Sequence, residues 1–149
     1  MTSFIDIQAS IVSKLAKIAP DIEINSSDIE EGFKRPCFFI DMLDIDSSNL
    51  MDKFQEREIE FDILYFPKHL KKNQMDLLKM RDILNKAFVE EQSFNITDDL
   101  VVEATDVKIF EVDKILHCEF KVFIAEEYER EYEHNIEELE FGEEINGDK

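Results

Sequence analysis

The sequence predicts an α+β domain: a mostly antiparallel sheet of about five strands with two helices packed on it. Three observations carry this. Two segments repeat apolar residues at three- and four-residue steps, the period of a helix facing a core. Other segments alternate apolar with polar residues, the period of a strand. The strand segments come in runs on either side of the second helix, in the order α-β-β-β-α-β-β, and such runs favour antiparallel pairing.

The first helix is expected over roughly 3–19. Phe4, Ile7, Ile11, Leu15 and Ile18 form its stripe, with Val12 and Ala19 widening it. Thr2 or Ser3 can cap it and Pro20 marks its end. Asp21 to Asn25 alternates like a short strand. Residues 26–35 are polar and turn-like, with Gly32 free to take an unusual backbone angle. Cys37 to Leu43 then reads as a buried strand, launched by Pro36, whose missing N–H costs little at a strand's first position. A polar link is expected over Asp44 to Asp52. Arg57 to Phe66 is the clearest strand: Ile59, Phe61, Ile63 and Tyr65 share one face, and Glu58, Glu60 and Asp62 the other. Asn73 to Phe88 gives the second helix, with Asn73 as a possible cap and Leu77, Met80, Leu84, Ala87 and Phe88 as its stripe. A turn is expected over Ser93 to Asp98. Leu100 to Phe110 and Ile115 to Ala125 complete a long hairpin.

At 149 residues the chain fits one domain. That domain is expected over 1–127. From Glu126 onward the chain holds eleven acidic residues against Arg130 and Lys149, so 128–149 reads as an acidic C-terminal arm, fraying at its end. The core must be built on phenylalanine, since there are 13 Phe, three Tyr and no Trp. A formal charge of −19 repels nucleic-acid phosphate and anionic membrane unless a local patch reverses the sign. No apolar run reaches the length of a transmembrane helix. The start, MTSFIDIQAS, lacks a basic region before an apolar stretch, so no secretory signal is expected. Cys37 and Cys118 are accordingly read as reduced core residues.

The motifs for chemistry are weak. Three scattered glycines cannot build a phosphate loop or a dinucleotide fingerprint. Cys37 follows Arg35 closely, and a cation can lower a thiol pKa. Yet Phe38, Phe39 and Ile40 beside it argue for burial, and a nucleophile needs exposure and a base. His117 and Cys118 are neighbours on a strand and so point to opposite faces. His69 falls in a turn and His134 in the acidic arm, a poor start for a zinc site. Asp44, Asp46 and Ser48 open like a calcium loop, but Asn49 and Gln55 stand where glycine and glutamate are needed. With 36 acids, chance carboxylate pairs of the glycosidase kind carry no information. Glu119-Phe120-Lys121 ends like a nuclease motif without an acidic partner at suitable spacing. No catalytic, cofactor-binding or metal-binding residue is assigned, and no cofactor is expected.

The basic residues are few and grouped. Lys34 and Arg35 form one group, and Lys68, Lys71 and Lys72, with His69, another; Lys79, Arg81 and Lys86 follow on the second helix. These groups are either ordinary surface balance or one half of a complementary pair of surfaces, basic turns on one subunit meeting acidic strands on the next. Lys34, Arg35, Lys68, Lys71 and Lys72 are therefore the candidate interface residues.

Two stretches also carry a resemblance. Glu31-Gly32-Phe33-Lys34-Arg35-Pro36-Cys37-Phe38-Phe39-Ile40 and Phe61-Asp62-Ile63-Leu64-Tyr65-Phe66-Pro67 carry it, and Gly32 to Phe39 and Phe61 to Pro67 are its most specific parts. They stand between an N-terminal helix ending near Pro20-Asp21-Ile22 and a closing strand with Phe120-Lys121-Val122-Phe123. Over roughly 3–127 the chain resembles the tail terminator proteins of phages and phage-tail-like particles of Gram-positive bacteria. That resemblance implies a structural protein, not an enzyme. It implies a homohexameric ring on the end of a tail tube, made in the host cytoplasm, that stops polymerisation and meets the head connector or the sheath. DNA would pass only through its lumen, and no membrane is involved. Other readings are a different head–tail joining or tail-completion protein, a small hydrolase acting through Cys37, and an acidic mimic of DNA.

Overall fold

The computed structural model describes residues 1–25 and 32–128. The expected acidic arm, 128–149, falls almost wholly outside them. The elements are α1 (Phe4–Ile18), β1 (Glu23–Asn25), β2 (Cys37–Leu50), β3 (Phe54–Phe66), α2 (Gln74–Asn85), a π-helical turn (Lys86–Glu90), β4 (Ser93–Thr97), β5 (Leu100–Val112) and β6 (Ile115–Glu127). They form one six-stranded sheet in the order β1-β2-β3-β6-β5-β4. Every pairing is antiparallel except β1 with β2. The α+β class holds, with one strand more than the sequence suggested.

Ser3 caps α1, its Oγ accepting from the Asp6 N–H at 3.1 Å. Ile7, Ile11 and Leu15 are fully buried under the helix, while Phe4, the first residue of the expected stripe, lies at the rim, 39% exposed. Ser10 is buried as well, its hydroxyl donating to the Ile7 carbonyl. On the strands the parity is strict. Phe38 and Ile40 of β2, Ile59, Phe61, Ile63 and Tyr65 of β3, and Leu116, Cys118, Phe120, Val122 and Ile124 of β6 share one core under the helices. Phe120 stacks between Phe61 and Phe88, at centroid distances of 5.7 and 4.7 Å. The opposite face keeps a smaller cluster of Cys37, Phe39, Leu64 and Phe66, covered by Phe33 and Ile115.

Three expectations need correction. The link over Asp44 to Asp52 is mostly strand: β2 runs on to Leu50, paired with β3 down to Leu50↔Phe54. Cross-strand pairing carries these polar residues, which propensity alone would leave as a loop. The turn over Ser93 to Asp98 contains β4, held by pairing with β5 through Phe94↔Val102. Asn73 stands at the N-cap position of α2, as expected, and its carbonyl accepts from the Leu77 N–H at 2.9 Å, but its buried side chain makes no capping hydrogen bond; its Nδ2 donates to the His69 carbonyl at 2.9 Å, closing the preceding turn instead.

Candidate assembly surface

The end of the sheet where β2 starts and β3 stops gathers the candidate basic residues Lys34, Arg35, Lys68, Lys71 and Lys72. Cys37 pairs with Phe66, so Lys34-Arg35 and Lys68-Lys72 leave the same edge. Arg35 ties them together: its Nη1 donates to the Pro67 carbonyl at 3.2 Å, and its guanidinium lies 5.3 Å from the Phe33 and Phe66 ring centroids. Arg35 is thus part of the packing of this turn. Lys34, Lys68, Lys71 and Lys72 are exposed, and Leu70 among them is 68% exposed. Gly32 takes φ +76, as expected of the turn, and the Arg35–Pro36 peptide is cis.

The face away from the helices carries the acids. Glu58, Glu60 and Asp62 of β3 stand on it with Glu119 and Lys121 of β6. Asp44, Asp46, Glu58, Glu60 and Lys121 line one recess there. Lys121 reaches Glu58 at 3.9 Å. His117 is half-buried on this face. Its Nδ1 lies 2.8 Å from Asp62 Oδ2, and its ring stacks on Phe110 at 5.0 Å.

A third feature escaped the sequence reading. Arg57 is 3% exposed, on the apolar side of β3. It pairs with Glu126 near the end of β6 at 2.5 Å and lies under the Phe4 ring at 5.2 Å. The Glu126 carboxylate also accepts from the Thr2 hydroxyl at 2.7 Å and from the Thr2 N–H. Burial by itself would raise the Glu126 carboxyl. The Thr2 hydrogen bonds and the Arg57 charge outweigh that and hold it below its ordinary value. This clasp fastens the start of the chain to the sheet. Parity could have found it, since Arg57 continues the alternation of Ile59 and Phe61, and Glu126 that of Ile124.

The nucleophile candidates are placed as the sequence suggested. Cys37 is fully buried, and burial raises its thiol although the Arg35 charge opposes this. Cys118 is buried in the main core and pushed up to about 12, mainly by burial. His117 and Cys118 occupy opposite faces. Asp44, Asp46 and Ser48 lie along β2 and not in a loop. Among the described residues, no group of three His, Cys, Asp or Glu side chains is arranged to hold a metal ion.

The fold and this surface together define a small α+β protein with both thiols buried, a group of exposed lysines at one end of the sheet and a cluster of acids across one face. The match to known families is specific: residues 6–134 fit the family of phage tail terminator proteins, so the chain belongs to the phage tail terminator family. The match crosses the boundary at 127 expected from composition. No curated protein matches the chain. The family is one of structural phage-tail proteins, which gives this chain a structural role in a phage tail.

Proposed function

We propose that this protein forms a ring on the end of the tail tube, stops tube polymerisation there, and offers the free side of the ring to the head connector or the sheath. Family membership is the observation that carries this reading. The surface supports it in a specific way. Exposed Lys34, Lys68, Lys71 and Lys72 gather at one end of the sheet of a chain that is otherwise strongly acidic. A localised basic end gives an assembling subunit a polarity, and charge complementarity sets register and partner choice more than raw affinity. These lysines, with Arg35 fixing the turn that presents them, are the proposed contacts to the tube or to a neighbouring subunit. The acidic face is the proposed lining of the channel, where like charge keeps DNA from sticking as it passes.

Assembly is expected in the host cytoplasm, and the resemblance to the family implies six copies; a closed ring of them would use head-to-tail interfaces. Electron microscopy of the protein mixed with its tail tubes tests the reading. A ring at one tube end, and tubes of uniform length, are expected. Tubes that keep growing with no density at either end would remove the proposal. Binding to head connectors but not to tubes would favour a joining protein of another kind.

A further inference from the structure

The two borders of the sheet are incomplete in a matched way. On one border β1 pairs with β2 only over Cys37–Phe39. Among the described residues no strand lies outside β2 from Met42 to Leu50. On the other border β4 pairs with β5 only over Leu100–Glu103, and the Ala104 N–H is taken by the Gln92 carbonyl. Among the described residues no strand lies outside β5 from Thr105 to Val112. Among the described residues, each open stretch leaves backbone donors and acceptors pointing sideways, which is a template for another strand.

The two stretches are suited to each other. β2 and β5 run in opposite directions within the sheet, since β3 lies antiparallel to β2 and to β6, and β6 antiparallel to β5. Copies set side by side in the same orientation therefore bring the β5 edge of one antiparallel to the β2 edge of the next. The β2 edge is guarded: it carries exposed Asp44 and Asp46, no basic residue, and a bulge after Met42. Such devices exclude indiscriminate partners and admit a strand with a base at the right place. The β5 edge carries exposed Lys108, on the same face of the sheet as Asp46, since Lys108 pairs with Glu119 and Asp46 with Glu58.

The offset also fits closure. Asp46 is level with Phe123 of β6 through Glu58, and Lys108 is level with Glu119. Setting Asp46 against Lys108 thus shifts successive copies by about 13 Å along the strands, at roughly 3.3 Å per residue. The four strand spacings from one seam to the next span about 19 Å. That slope corresponds to a strand tilt of about 35°, the tilt of closed sheets.

We propose that the outer edge of β2, centred on Asp46, pairs antiparallel with the outer edge of β5, centred on Lys108, of a second copy of this chain. The sheets of neighbouring copies then run on as one hydrogen-bonded ladder. This rests on the ring reading above and names its subunit seam. It is a head-to-tail contact, with different surfaces on the two sides, so it can propagate around a closed ring.

The test uses full-length protein and single cysteines at exposed positions. Asp46→Cys and Lys108→Cys variants are mixed in equal amounts with tail tubes and mildly oxidised. Circular dichroism confirms that each variant folds. A disulfide-linked dimer of one copy of each variant is expected to dominate the mixture, and to stay below a tenth of that level in either variant alone. Ser48→Cys replaces Asp46→Cys as the check on the next register. Rings on tube ends with no mixed dimer from either pair would overturn the seam and leave the ring reading standing. Dimers formed equally well by each variant alone would overturn it in favour of a two-fold contact. Absence of both rings and dimers would remove the two proposals together.

Discussion

Arg57 and Glu126 show what one buried pair can do for this fold. Removing either partner leaves the other with an unanswered charge, and for a pair this covered the cost is about 3 kcal/mol. Arg57→Ala should therefore lower the unfolding free energy by about that much in a urea titration. The pH dependence follows from the depressed Glu126 carboxyl. Its folded pKa lies below the unfolded value, so the stability it contributes is complete above the unfolded pKa, near 4.3, and fades as pH falls through the folded one. Wild type should exceed Glu126→Gln in stability at pH 7, and the gap should shrink as pH falls below the ordinary glutamate range. A gap that does not change with pH through the acid range would assign the clasp to packing alone. The two thiols make a simpler case. Both are buried and raised, so neither forms the thiolate that reacts. Iodoacetamide at neutral pH should label neither Cys37 nor Cys118 until denaturant is added, as read by intact mass. The burial of both cysteines was legible in the chain, because Cys37 opens the apolar run to Ile40 and Cys118 falls on the apolar side of an alternating strand. Arg57 was not, because charge outweighed parity in reading it.

At the scale of elements, the turn from Gly32 to Pro36 divides labour between neighbours. Lys34 is exposed, whereas Arg35 holds the Pro67 carbonyl and the faces of Phe33 and Phe66. A charge reversal at both positions would therefore mix two effects. Lys34→Glu should leave stability within about 0.5 kcal/mol, as surface changes do. Arg35→Glu should cost about 1–2 kcal/mol, from the lost hydrogen bond and ring contacts. Thermal unfolding of the two single variants separates them, and equal melting temperatures would return Arg35 to the surface. The core between sheet and helices depends on Phe120, which stacks on rings from β3 and the π-helical turn. Phe120→Ala should cost about 3–5 kcal/mol. Both helices and the central strands were legible because their periods are long and regular. The outer half of β2 and the short β4 were not. Their residues, DIDSSNL and SFNIT, have little strand propensity or length of their own, and the strands beside them supply the hydrogen bonds.

For the whole molecule the decisive property is where charge lies. Lys68→Glu, Lys71→Glu and Lys72→Glu together should keep the circular dichroism spectrum and reduce capping of tail tubes at least tenfold. The three side chains are exposed. Unchanged capping would return them to ordinary surface balance. Lys34, Lys68, Lys71 and Lys72 were nameable from sequence, but their gathering at one end was not. It depends on the Cys37↔Phe66 register, which brings together turns more than thirty residues apart.

The sequence by itself determined the class of fold, the helix stripes, the face of each central strand and the burial of both thiols. It also carried the family in the Gly32–Ile40 and Phe61–Pro67 stretches. These are local properties, written in the period of apolar residues and in turn chemistry. Only the tertiary structure decided how far β2 extends, that β4 exists, that Glu126 meets Arg57 and Thr2, and which sheet borders stay open among the described residues. Each of these depends on pairing between distant strands. A strand's neighbours supply its hydrogen bonds and burial, and no local window of sequence contains them.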